Sequence, residues 1–121
     1  MFHTIVLTLV LANPQSLLQQ ATEEIELGQW EAAAESLDVY VEEYSNPSPE
    51  VLYDRGVAHY NVGNFGTAVE SFDNAMNQTE DSLLKTYCAY NLGNAIYQET
   101  MGELEGTSTG APSGGAMVAI D

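Results

Sequence analysis

Few side chains in this chain combine the type and spacing that chemistry requires. Cys88 is the single cysteine, which excludes an intramolecular disulfide and any multi-cysteine metal site. As a nucleophile it would need a base and an orienting acid close by. Its apolar helical surroundings instead predict a buried small hydrophobe. His59 is expected as a packed histidine with one satisfied nitrogen rather than as a ligand. Glu23, Glu24, Glu26, Glu42 and Glu43 could gather a cation. They lack the alternating ligand positions and glycine turn of a calcium loop, so they read as solvated acidic faces. No glycine-rich loop ending in lysine is present to cradle phosphates. Asn77-Gln78-Thr79 matches a glycosylation sequon, which matters only if the organism glycosylates exported proteins. The residues thus predict no enzyme, no metal, no cofactor and no small-molecule substrate.

Charge narrows the partners. Among 121 residues, 18 are Asp or Glu and two are basic, Arg55 and Lys85, for a formal net charge of −16. Nucleic acid is excluded as a partner, because binding its backbone takes several basic side chains. An anionic lipid surface is excluded for the same reason. A hydrophobic content of 45% is enough for one packed domain and too high for wholesale disorder. The acidic excess also suits a salty habitat, where screening relieves self-repulsion.

The positioning elements are helices. Asn13-Pro14 and Ser48-Pro49-Glu50 each read as an N-cap followed by proline at the first helical position. Gly28 and Gly63 stand where one apolar-periodic run ends and the next begins. The pattern predicts five helices, over 14–27, 30–44, 49–62, 65–77 and 82–99, with no strands between them. Residues 1–12, MFHTIVLTLVLA, are too short to span a bilayer, which takes roughly 20. They fit the apolar part of a secretory signal, so export to a periplasm or medium is expected. A hydrophobic first helix or a misplaced start codon would leave the protein cytoplasmic. From residue 102 onward the Gly, Ser and Thr content predicts a flexible tail over 102–121, bounding the domain at 13–101.

The chain is self-similar. Gly28-Gln29-Trp30 recurs as Gly63-Asn64-Phe65, Ala33 as Ala68 and Leu37 as Phe72, each 35 residues on. A second register takes Gly56 to Gly93, Ala58 to Ala95 and Tyr60 to Tyr97, each 37 residues on. Small residues let helices cross closely, and a bulky side chain four residues later fills the groove beside them. Units of this kind bury their apolar faces by stacking.

These residues resemble the tetratricopeptide repeat family, a helix-turn-helix unit. The middle copy is the fullest, with Gly56, Tyr60, Gly63, Phe65, Ala68, Phe72 and Ala75 at the pattern's small and bulky positions. Tyr90-Asn91-Leu92-Gly93-Asn94-Ala95-Ile96-Tyr97 is similar to the first helix of a third copy. The first copy is good only in its second helix, with Trp30, Ala33 and Leu37. His59 departs from the usual aromatic, and the third copy lacks a second helix. The resemblance covers about 14–99 and implies an all-α fold, a short right-handed α-solenoid of about two helix pairs plus a C-terminal capping helix. It also implies a concave groove lined here by Tyr53, Val57, Tyr60, Asn61, Tyr90, Asn94 and Tyr97. No lysine or arginine stands among them to hold a terminal carboxylate. The expected role is a non-enzymatic adaptor that binds a neutral or basic peptide or protein segment. The alternative is an assembly unit, a homo-oligomer or a piece of a larger array joined through the incomplete third copy.

Overall fold

The computed structural model describes residues 14–105, which form five α-helices and, among the described residues, no strand. These are α1 (Pro14–Glu26), α2 (Trp30–Glu43), α3 (Pro49–Asn61), α4 (Phe65–Gln78) and α5 (Ser82–Glu105). The leader expected over 1–12 and most of the tail lie outside the described residues. The chain divides into two compact units that meet in sequence at Pro47 and Ser48.

The first unit is the antiparallel pair α1 and α2. Leu17 and Ala21 of α1 and Ala33, Ala34 and Leu37 of α2 supply its buried apolar side chains. At its edge Ser36 donates to a Glu24 carboxylate oxygen at 2.8 Å, and the Gln20 amide donates to the other oxygen at 3.1 Å. The carboxylate is thus satisfied without a basic partner.

The second unit packs α4 against both α3 and α5. Alanines and a serine on α4 (Ala68, Ser71, Ala75) are fully buried, as is Phe72. The ring of Phe72 lies directly over Gly56, where a Cβ would come within 2.6 Å of it. Glycine is required there by proximity rather than by backbone angle. Ser71 accepts a hydrogen bond from the Arg55 guanidinium at 2.9 Å, and Glu70 lies 3.9 Å from the same nitrogen.

The helix boundaries follow from local chemistry. Ser48 accepts from the Val51 N–H, with Pro49 behind it at the first helical position. Asp81 caps α5 by accepting from the N–H groups of Leu83 and Leu84. Both inner turns close the same way. Gln29 N–H reaches the Glu24 carbonyl and Gly28 N–H the Ile25 carbonyl, while Asn64 reaches His59 and Gly63 reaches Tyr60. This pair of hydrogen bonds demands a left-handed residue, and Gly28 and Gly63 have φ of 72° and 89°.

One boundary differs from the sequence expectation. Helix α5 does not stop near residue 99 but runs through Gly102 to Glu105. Met101, Glu103, Leu104 and Glu105 are good helix formers, and a single glycine costs only about 1 kcal/mol in a helix interior. The stretch 102–105, expected as tail, is therefore ordered.

Candidate functional site

Helices α3 and α5 both pack on α4 and touch each other only sparsely, and the residues expected to line a groove divide between contact and solvent. Tyr53, Val57 and Tyr60 are buried, at 5%, 3% and 8% exposure. Asn91, itself buried, donates its side-chain amide to the Tyr53 hydroxyl at 2.8 Å. Gln98 forms a side-chain hydrogen bond with Tyr60, seven residues further along each helix. Burial pushes the Tyr53 hydroxyl up to about 12, even though the Asn91 bond acts in the opposite direction. The ring of Tyr53 packs on Phe72 at 5.6 Å, and that of Tyr60 meets Phe65 edge-on at 5.2 Å. These side chains hold the helices together. Asn61 is half-buried and donates to the Val57 carbonyl of its own helix. Asn94 is half-buried, while Tyr90 and Tyr97 stand in solvent at 68% and 51% exposure.

At the end of α3 and α5 where both helices begin, the surface opens into a cleft of about 320 Å³. It is lined by Glu50, Tyr53, Asp54, Asp81, Leu83, Leu84 and Tyr87. Glu50 and Asp54 are one turn apart on α3, so they share a face. Desolvation, and then the Glu50 charge, push the Asp54 carboxyl up to about 6. Arg55, the next residue, donates to Ser71 and lies near Glu70 on α4. Two tyrosines, carboxylates and two leucines in one concavity can accept an ammonium or guanidinium group with an aliphatic stem. The sequence signal for it was the Glu50–Asp54 spacing together with Asp81-x-Leu83-Leu84-x-x-Tyr87. Neither half has meaning until the α3–α5 packing joins them.

No family model, curated protein or solved structure matches the chain. Function must therefore be argued from the geometry.

The remaining reactive groups are quiet. Cys88 is fully buried, and burial pushes its thiol up to about 11. Native protein at pH 8 should therefore resist a thiol-disulfide reagent and release one equivalent of chromophore only after denaturation. Stoichiometric labelling of the folded chain within minutes would show the burial to be wrong. His59 is 5% exposed, with the Asn64 amide 3.1 Å from its Nδ1. Thr79 of the sequon is buried, its hydroxyl accepting from the Asp81 N–H, while Asn77 is exposed. Among the described residues no three His, Cys, Asp or Glu side chains gather as metal ligands. No described helix is long and apolar enough to cross a membrane.

Proposed function

We propose that this protein is a non-enzymatic protein–protein interaction module of the tetratricopeptide type. It binds a basic side chain of a partner segment in the cleft between α3 and α5. The observation that carries the reading is Asp54, whose carboxyl is desolvated beside Glu50 in a concavity walled by Tyr53 and Tyr87. A lysine or arginine entering there neutralises both carboxylates and lays its stem on Leu83 and Leu84. The right-handed solenoid and the repeat assignment belong to the same proposal. The matching turns at Gly28 and Gly63 support it, as does the close Gly56–Phe72 contact.

The test is selection from a random peptide library displayed on phage, followed by fluorescence anisotropy on the enriched peptides. Enrichment of Lys- or Arg-containing sequences is expected, with affinity lost at least about tenfold in Asp54→Asn and Glu50→Gln. Binding should also fade as pH falls through 6, because a cation prefers the ionised carboxylate. Enrichment of acidic or purely apolar peptides, indifferent to either substitution, would overturn the reading.

A further inference from the structure

Helix α5 buries one face, through Cys88, Asn91, Ala95 and Gln98, and among the described residues the other is exposed. The exposed face has a regular composition. Leu83, Tyr90, Tyr97 and Leu104 recur every seven residues at 59%, 68%, 51% and 61% exposure. Between them at matched places stand Thr86, Gly93 and Thr100, also exposed. Gly93 has no atom within 4 Å of where a Cβ would be. Such a stripe alternates knobs and hollows along about 30 Å of helix. In a chain of net charge −16, no charged side chain lies on it.

From this we infer that α5 is a homodimerisation helix, pairing antiparallel with α5 of a second copy. Complementarity of size selects the second copy and the orientation. With the two-fold axis level with Ala95, Tyr97 lies over Gly93 of the other copy, Tyr90 over Thr100 and Leu104 over Thr86. Each of these three layers sets a large residue against a small one, twice over by symmetry. A parallel pairing would instead set Tyr90 against Tyr90 and leave Gly93 facing Gly93. Flanking chemistry agrees. Ile96, exposed at 46%, meets its own copy on one side of the axis, and Asn94 meets its own copy on the other. An amide can donate to and accept from an identical amide.

Charge agrees as well. Lys85 and Glu103 lie on the same side of the stripe near its opposite ends, so the antiparallel register brings Lys85 toward Glu103 of the second copy. The exposed side chains bring the covered area to on the order of 1,000 Å² for the pair, the lower end of specific interfaces. Because each copy carries a large negative charge, association should strengthen with salt. The inference shares only Leu83 with the cleft, whose carboxylates Asp54 and Glu50 lie on α3, so Asp54→Asn and Glu50→Gln should leave dimerisation unchanged.

Sedimentation velocity of the full chain, across concentration and at low and high salt, tests it. A reversible monomer–dimer equilibrium that tightens at high salt is expected. Tyr97→Glu and Gly93→Leu should each weaken dimerisation at least about tenfold, with helical circular dichroism and melting temperature retained. Gly93→Leu adds bulk in open space in the monomer, so loss of dimer there cannot be blamed on misfolding. Lys85→Glu should weaken the dimer and Lys85→Glu/Glu103→Lys restore it, which only the antiparallel register explains. A monomer at every concentration and salt would overturn the inference, whether because nothing covers α5 or because residues 1–13 or 106–121 of the same chain do. A dimer untouched by Tyr97→Glu and Gly93→Leu would overturn it too.

Discussion

A Phe72→Ala variant should lose about 3–5 kcal/mol of stability, the usual cost of removing a fully buried aromatic ring. Phe72 has no solvent exposure, and its ring covers Gly56 on one side and packs on Tyr53 on another. Deleting it takes away the side chain that joins α3 to α4 where Tyr53 also reaches α5. The informative companion is Gly56→Ala. In the native background the new methyl group would fall 2.6 Å from the ring, and either the ring or the helix must shift. Overpacking of this kind costs about 1–3 kcal/mol, partly offset by the better helix propensity of alanine. In the Phe72→Ala background the clash vanishes and the propensity gain remains. Gly56→Ala should then be neutral or stabilising by up to about 1 kcal/mol. Urea denaturation of the four proteins measures the coupling. Additive losses would mean that Gly56 and Phe72 do not touch.

The second large effect is electrostatic. Asp54 titrates near 6 in the folded chain, against the ordinary 3.8, because burial and then Glu50 disfavour its charge. The native state therefore holds this proton more tightly than the unfolded state does. The associated stability is fully present below pH 3.8 and is lost as pH rises through about 6. At pH 7 and above the folded protein carries a penalty on the order of 2–3 kcal/mol at this one residue. Asp54→Asn should remove it. The variant should melt on the order of 10 °C higher at pH 7.5 and about level with the native chain at pH 4. Calorimetry at the two pH values is the check, and equal melting at pH 7.5 would show that Asp54 is not desolvated. A variant that gains stability while losing affinity for basic peptides would place the strained carboxylate in the binding role.

The helices were legible because their punctuation is local. Ser48-Pro49, Gly28 and Gly63 announce their own conformations, and the structure begins and ends α1 to α4 within a residue of the expected bounds. The end of α5 was not legible, because composition around Gly102 argues for a coil while Met101 and Leu104 continue the helical pattern. For the site, the expected positions lie on α3 and α5, but the accessibility of their side chains was not legible. Whether a tyrosine on α3 faces a ligand or a neighbouring helix depends on how closely α5 approaches. Tyr53 and Tyr60 are spent on Asn91 and Gln98, a pairing across 38 residues that no local pattern encodes. The cleft was equally hidden, since its walls come from two helices and its character from the desolvation of one carboxylate.

The Asn91–Tyr53 bond also bears on the order of events as the chain leaves the ribosome. Each of the helix pairs α1–α2, α3–α4 and α4–α5 joins neighbours in sequence, so loop closure is short and folding should be fast, in the millisecond range or below. Helices α3 and α4 can pair before α5 has emerged, because synthesis proceeds at about 5–20 residues per second. During that interval the hydroxyl of Tyr53 and the side chain of Tyr60 have no α5 to meet. The nascent chain then exposes this face for a second or more, until Asn91 and Gln98 arrive. Lengthening the Thr79–Asp81 turn would leave the finished fold nearly unchanged but prolong that exposure, and aggregation during synthesis, rather than equilibrium stability, is where the change would be felt.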